Sequence, residues 1–289
     1  RLFEDPVKRR ATHSVRLSRM TDGTIVAFGA RCYRDDPERG LTNRENLGFV
    51  PMELILLRSD DVTHVACAFD HVVESFRNDM WADYKTGAGI DPALRRQFAA
   101  LEEGLEAMGV AVWPMVELEA DDGLASAAHL ASQDESVQRV SIWTPDKDLA
   151  QCVRGDRVVQ VDRRANQVRD ADAVKEKFGV EPVLIPDFLA LVGDAADGFP
   201  GIPRIGKVTA ARLLNQHGPI EDFPDSELGE RRELALLFKD LATLRTDARL
   251  FDSVDELRWL GPTAEFESHA ERLGDTRLVK RSHEASVVA

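Results

Sequence analysis

Thr63-His-Val-Ala-Cys-Ala-Phe-Asp70 is an apolar run that ends on a carboxylate. Alternating polarity would mark a strand with one wet face, whereas continuous apolar character marks a strand buried on both faces, as in a parallel sheet covered by helices. An acid at the carboxyl end of such a strand sits where open α/β sheets place their ligands. The same pattern recurs to either side. Ile25-Val-Ala-Phe28 has strand length upstream, beyond an apolar segment from Phe49 to Leu57. Downstream, Val110-Ala-Val-Trp113, Val140-Ser-Ile-Trp143 and the stretch from Arg157 to Val161 read as further strands, and Val168 falls in a polar return. Between them, Asp91 as N-cap and Pro92 in the first turn open a helix that carries Leu94, Phe98, Leu101, Leu105 and Met108 on one face and stops at Gly109. Strands alternating with helices predict an α/β fold with a mostly parallel central sheet flanked by helices.

From Asp170 onward the pattern is helical. Asp172 to Phe178 is a short helix stopped by Gly179, and Ile185-Pro186 opens another with Phe188, Leu189, Leu191 and Val192 as apolar positions. The segment from Lys207 to His217 is a helix ended by Gly218 and Pro219, and Glu230 to Leu244 is a longer one with Leu234, Leu237, Phe238, Leu241 and Leu244 at helical spacing. The polar tail after Gly274 predicts disorder. These readings divide the chain into an α/β domain over 20–169 and a helical module over 170–274.

Glu119-Ala-Asp-Asp122 places three carboxylates in four residues at the start of an apolar-periodic run with Leu124, Ala127, Ala128 and Ala131 inward. Acids packed this tightly repel one another unless cations or hydrogen-bond donors neutralise them. An ordinary acidic helix N-terminus needs only one or two. Further acidic pairs follow at a strand end and a helix end, Asp146-Lys-Asp148 and Asp194-Ala-Ala-Asp197, and three such clusters point to a shared divalent metal.

Composition narrows the class. No apolar stretch is long enough to span a bilayer and no hydrophobic leader is present, so a cytoplasmic protein is expected. Three scattered cysteines, Cys32, Cys67 and Cys152, form neither a CxxC pair nor a complete disulfide set, which indicates neither structural zinc nor an oxidising compartment. The net charge of −14 argues against a nucleic-acid partner at first sight. Setting aside nine acids as metal ligands leaves −5, so a basic face remains compatible with the composition.

The loop Gly193-Asp-Ala-Ala-Asp-Gly-Phe-Pro-Gly-Ile-Pro-Arg-Ile-Gly206 lies between two helices. Its glycines let backbone amides approach phosphate, and the following helix N-terminus adds a favourable dipole beside Lys207 and Thr209. It resembles the helix-three-turn-helix of the 5'-nuclease superfamily, which includes flap endonucleases, phage and stand-alone bacterial 5'-3' exonucleases and the nuclease domain of bacterial DNA polymerase I. Other segments resemble that family in order: Asp22-Gly23, Phe69-Asp70, Ser75-Phe-Arg77, Tyr84-Lys85, Glu119-Ala-Asp-Asp122, Thr144-Pro-Asp-Lys-Asp-Leu149 and Gly193-Asp194 to Asp197.

The resemblance implies a PIN-like sheet followed by a helical helix-three-turn-helix module, and a metal-dependent 5'-3' exonuclease or flap endonuclease acting on DNA with 5' ends or flaps as a monomer. It implies that Asp22, Asp70, Glu119, Asp121, Asp122, Asp146, Asp148, Asp194 and Asp197 surround two or more Mg2+ or Mn2+ ions. Asp70, Glu119, Asp121, Asp146 and Lys85 are the expected catalytic residues, with Lys85 at the scissile phosphate, Tyr84 stacked on the end base and Arg77 on a phosphate. Gly201, Ile202, Ile205, Gly206, Lys207 and Thr209 are expected at the DNA, with K+ held by the carbonyls of Ile202 and Ile205. The departures are a half-polar Val15-Arg-Leu-Ser-Arg-Met20 before Asp22, Gly198-Phe199 where Asn-Ile is common, Arg204 where a glycine is usual, and Lys207-Val208 where lysine usually falls at the second place. They motivate one alternative, a DNA-binding relative with impaired catalysis; another alternative is a PIN-like ribonuclease, a group that resembles this chain in its acidic sheet but normally lacks the glycine-rich helix-loop-helix.

Overall fold

A computed structural model of the chain describes residues 24–30, 62–95, 97–162, 165–272 and 277–286. Six strands form one sheet: β1 (Thr24–Ala30), β2 (His64–Asp70), β3 (Ala111–Met115), β4 (Val137–Trp143), β5 (Val158–Asp162) and β6 (Gln167–Arg169). Their order is β3-β2-β1-β4-β5-β6. Every pairing is parallel except that of β6 on β5. The chain winds outward one way from β1 through β2 and β3 and the other way through β4 and β5. The order therefore reverses between β1 and β4, and open α/β sheets place their ligands beyond the carboxyl ends of the strands at such a point.

The helices are α1 (Arg77–Met80), α2 (Pro92–Arg95), α3 (Gln97–Ala107), α4 (Ala120–Gln133), α5 (Ala171–Phe178), α6 (Ile185–Val192), α7 (Lys207–His217), α8 (Asp225–Leu228), α9 (Arg232–Ala242), α10 (Phe266–Arg272) and α11 (Arg277–Ser286). The face of α4 made of Leu124, Ala127, Ala128 and Ala131 is buried, as its spacing predicts, and packs with Ala66, Ala68, Val140 and Ile142 of the sheet. Its small side chains let the helix lie close to the strands. A second cluster belongs mainly to the helical part, where Phe188, Leu189 and Leu191 of α6 meet Leu213 and Leu214 of α7 and Phe238 and Leu241 of α9. A third, on the other face of the sheet, joins Val65, Cys67 and Phe69 to Leu105, Met108, Trp259 and Phe266.

Several expectations change. The polar return around Val168 is the antiparallel strand β6, because Gln167 to Arg169 pairs with Asp162 to Gln160. The helix expected to reach Leu244 ends at Ala242, where Thr243 turns extended. The helix expected from Pro92 is helical wherever it is described, over Pro92–Arg95 and Gln97–Ala107. Most of the tail expected to be disordered is α11, whose Val279 packs against the cluster holding Phe266 and Ala270. Among the described residues no helix is long and apolar enough to cross a membrane. Asp22, Cys32 and the segment from Phe49 to Leu57 lie outside the described residues.

Candidate metal centre and nucleic-acid interface

Asp70 closes β2, and its Oδ1 accepts the N–H of Ala120 at 2.7 Å. A carboxylate from a neighbouring strand thus satisfies one of the donors that the first turn of α4 leaves unpaired. Glu119 is the N-cap residue of α4 and is 3% exposed. Its carboxylate meets Lys85 Nζ at 2.6 Å, accepts Ser75 Oγ at 2.7 Å and lies 3.4 Å from Tyr84 Oη.

Beyond this corner the acids gather into two groups that share one member. In the first, one ligand oxygen from each of Asp121, Asp146 and Asp148 lies within 4.8 Å of the others; in the second, the same holds for Asp148, Asp194 and Asp197. Asp146 and Asp148 leave β4, Asp121 comes from the first turn of α4, and Asp194 and Asp197 come from the loop after α6. Asp148 is 8% exposed, and its Oδ1 is buried with no hydrogen-bond partner.

Burial, followed by the charge of Asp146, pushes both Asp121 and Asp148 well above the ordinary carboxylate range. Burial also raises Asp197, against the opposing charge of Lys85. An orphaned carboxylate oxygen amid other carboxylates is a donor set that only a proton or a hard cation satisfies. The oxygen-only ligands suit Mg2+ or Mn2+. The residues present therefore fit a divalent metal.

Two lysines partly balance the cluster. Lys85 Nζ bridges Glu119 and Asp197, the latter at 3.3 Å, and its backbone N–H donates to the Asp197 carbonyl at 3.1 Å. Burial disfavours its charge, but Glu119 and Asp197 hold its pKa above the ordinary lysine value. Lys147 pairs with Asp194. The sequence reading gave Lys147 no role, although its place between two acids was a signal. Asn78 was missed as well: its Oδ1 accepts the N–H of Ser75 at 2.8 Å and its Nδ2 donates to the Lys85 carbonyl at 3.0 Å, which stiffens the turn carrying Lys85.

Three expected roles do not survive the geometry. Arg77 is 1% exposed and donates to both oxygens of Asp122 at 2.7 Å, to Glu119 at 3.2 Å and to the carbonyls of Leu241 and Thr243. Its fork of donors is spent inside the protein, so it does not meet a phosphate. Asp122 is fully buried and accepts in addition the N–H groups of Glu119 and Arg245. It neutralises Arg77 and belongs to neither acid triad. Tyr84 is 3% exposed and packed in the core, so its ring face is closed to a base.

The loop between α6 and α7 folds back on itself. Asp194 and Phe199 exchange backbone hydrogen bonds at 2.8 and 3.0 Å, and the Ile202 N–H reaches the Leu191 carbonyl at 2.9 Å. Gly198 has φ +86°, and a Cβ there would lie 1.9 Å from the Asp83 carbonyl oxygen, so only glycine lets the loop dock on the turn that holds Lys85. Gly201 and Ile202 are buried, which removes them from the surface expected at the DNA. Ile205 and Thr209 are half-buried; Gly206 and Lys207 are exposed, with Arg204 and Val208 beside them. Arg204 adopts φ +70°, the left-handed conformation that the usual glycine would supply, and its side chain stands in solvent.

The comparisons with known proteins agree with this geometry. Residues 22–179 match the 5'-3' exonuclease N-terminal resolvase-like domain, and residues 180–265 match the 5'-3' exonuclease C-terminal SAM fold. The chain is 32% identical over 267 residues to DNA polymerase I of Streptococcus pneumoniae (strain ATCC BAA-255 / R6), covering 85% of this chain and 30% of that protein. It is 34% identical over 265 residues to DNA polymerase I of Mycobacterium leprae (strain TN), covering 85% and 29%. The chain thus spans about 30% of the length of these relatives. Among solved structures, T5 5'-exonuclease with bound divalent metal ions (zinc) superposes with a TM-score of 0.61 at 15% identity, covering 92% of this chain and 99% of that one. The catalytic core of Rad2 in complex with DNA substrate superposes at 0.60 and 16%, covering 92% and 91%. With both domains matched in sequence order, this chain belongs to the 5'-3' exonuclease family, hydrolases that act on DNA phosphodiester bonds.

Proposed function

We propose that this chain hydrolyses DNA phosphodiester bonds at 5' ends and flaps, using Mg2+ or Mn2+ held by Asp70, Glu119, Asp121, Asp146, Asp148, Asp194 and Asp197. The observation that carries the proposal is Asp148, a buried carboxylate shared by both acid triads with one oxygen lacking any partner. Two ions at the triads would supply a hydroxide nucleophile and neutralise the leaving oxygen. The chain's own residues do the rest. Lys85 carries a compact positive charge, a quarter exposed, at the rim of the cluster, where it can meet the scissile phosphate as charge builds on it. Lys147 offsets Asp194 between the two acids of its own motif. Arg204, Gly206, Lys207 and Thr209 form the side that meets duplex phosphates. A K+ ion at the carbonyls of Ile202 and Ile205 belongs to the same reading; the Ile202 carbonyl already accepts the Ile205 N–H at 3.0 Å, which leaves it one lone pair. The division into a nuclease domain over 20–169 and a helical module over 170–274 is supported by the cluster among α6, α7 and α9, which Tyr84, Ala150 and Val153 join from the sheet side.

The test is to incubate the protein with end-labelled single-stranded, duplex and 5'-flap DNA and read product lengths in Mg2+, Mn2+, Ca2+ and EDTA. Short products released from 5' ends or flaps in Mg2+ and Mn2+ only are expected, since Ca2+ favours looser coordination and activates water poorly. Cleavage persisting in excess EDTA rejects the metal reading, and duplex binding without cleavage in any metal leaves a binding protein.

A further inference from the structure

The segment Leu241 to Arg245 ends α9 and has no regular secondary structure of its own beyond Ala242. Backbone polar groups inside a protein must nevertheless find partners. Here side chains around the acid cluster supply them one after another. The Leu241 and Thr243 carbonyls accept from Arg77 at 2.8 and 3.1 Å. The Ala242 carbonyl accepts Gln151 Nε2 at 3.0 Å and the Leu244 N–H donates to Gln151 Oε1 at 3.0 Å, so the Gln151 amide pairs with this backbone as a β-strand peptide would. The Arg245 N–H donates to Asp122 Oδ1 at 2.9 Å, and its carbonyl accepts Ser126 Oγ at 3.1 Å. The guanidinium groups of Arg77 and Arg245 both lie over the Phe76 ring, at 4.6 and 4.7 Å from its centre.

The partners are not arbitrary positions. Gln151 Nε2 also donates to the carbonyl of Asp148 at 2.9 Å, and Arg77 also holds the carboxylate of Glu119. At its other end the segment continues α9, whose Phe238 and Leu241 share a core with α6 and α7 on either side of the glycine loop. One short stretch of backbone therefore joins the helical module to the two acids at either side of the candidate centre.

We propose that Leu241 to Arg245 is a strap that holds Glu119 and Asp148 in register with the helical module, with Arg77 and Gln151 as positioning residues. This rests on the nuclease reading for its consequence in cleavage, but its effect on the acids stands without it. Gln151 is half-buried, and methionine matches its length while losing every hydrogen bond, so Gln151→Met preserves packing and removes one clamp. Ser126→Ala removes the clamp on the Arg245 carbonyl and leaves that on its N–H.

The experiment measures Mn2+ binding by electron paramagnetic resonance, duplex-DNA affinity in Ca2+, and single-turnover cleavage, for wild type and both variants, alongside melting temperature. Gln151→Met is expected to weaken Mn2+ binding about fivefold and to slow cleavage about tenfold at saturating DNA, with duplex affinity unchanged. Ser126→Ala is expected to act in the same direction and less. A lower melting temperature with unaltered Mn2+ affinity in both variants overturns the strap as a positioning device and leaves it a structural tie. So does an equal loss of Mn2+ and duplex affinity, which would mean general disruption. Wild-type protein that binds Mn2+ but cuts no DNA would reject the nuclease reading while the Mn2+ measurements still decide the strap.

Discussion

Two halves of the same acidic corner solve the problem of buried charge in opposite ways. On one side, Asp122 and Arg77 form a closed bidentate pair in which every donor and acceptor is used. On the other, Asp121, Asp146 and Asp148 converge with no lysine or arginine bonded to any of them among the described residues, and Asp148 keeps an oxygen unpartnered. A buried carboxylate that is paired supports the fold, whereas one that is crowded among like charges costs stability until a cation arrives. Asp121 and Asp122 are neighbours in the chain and fall on opposite sides of this line, because successive helix positions point about 100° apart.

The comparison is broken most directly by removing charge from the open side. Asp146→Asn with Asp148→Asn is expected to lower single-turnover cleavage about 10⁴-fold, ~5 kcal/mol at 1.36 kcal/mol per decade, while the metal-free protein melts no lower than wild type. A large fall in melting temperature would make this pair structural. The closed side should behave in reverse. Arg77→Ala leaves Asp122 buried and uncompensated, and is expected to cost about 3 kcal/mol, or roughly 10 °C of melting temperature, with or without metal. Calorimetry that finds Arg77→Ala harmless would show that Asp122 has another partner.

Lys85 stands between the halves, bonded to Glu119 and Asp197. Lys85→Ala should reduce the single-turnover rate about 100-fold and leave duplex affinity in Ca2+ unchanged, because its charge matters most as phosphate charge develops. If instead binding weakens and the rate holds, Lys85 is a ground-state contact.

Acid titration sharpens the contrast further. Asp121, Asp148 and Asp197 are raised in the folded state, so between the unfolded aspartate value of about 3.9 and those raised values the folded chain holds more protons than the unfolded one. Stability of the metal-free protein therefore falls as pH rises through that window, by about 1.4 kcal/mol per pH unit for each extra proton. Saturating Mg2+ should flatten or invert this slope, since metal competes with protons for the same oxygens. Melting curves that rise with pH in EDTA across this window would contradict the open-side assignment.

The smallest expected effect lies away from the acids. Lys207→Ala should weaken duplex binding and lower the slope of log affinity against log salt by about 0.9, the release of one counterion, without altering the single-turnover rate at saturation. An unchanged slope would remove Lys207 from the interface.

Much of this protein is legible in its sequence. Unbroken apolar strands ending in acids, with helices between, specify a parallel sheet with its ligands at one edge, since burial on two faces and the period of each element are local properties of the chain. The carboxylates of Asp121, Asp146, Asp148, Asp194 and Asp197 are marked in the same way, as acids too close together to ionise unaided. What local pattern does not carry is the identity of a partner far along the chain. Arg77 reads as a cation available for phosphate until the fold brings Asp122, Leu241 and Thr243 around it. Tyr84 reads as a stacking platform until Phe199 and the helical module close over it. Gln151 carries no signal at all, because its role is to pair with backbone 91 and 93 residues away. Charge sign and spacing are written in the sequence, but whether a charge faces solvent, a metal or another charge depends on desolvation, and desolvation is decided only by tertiary packing.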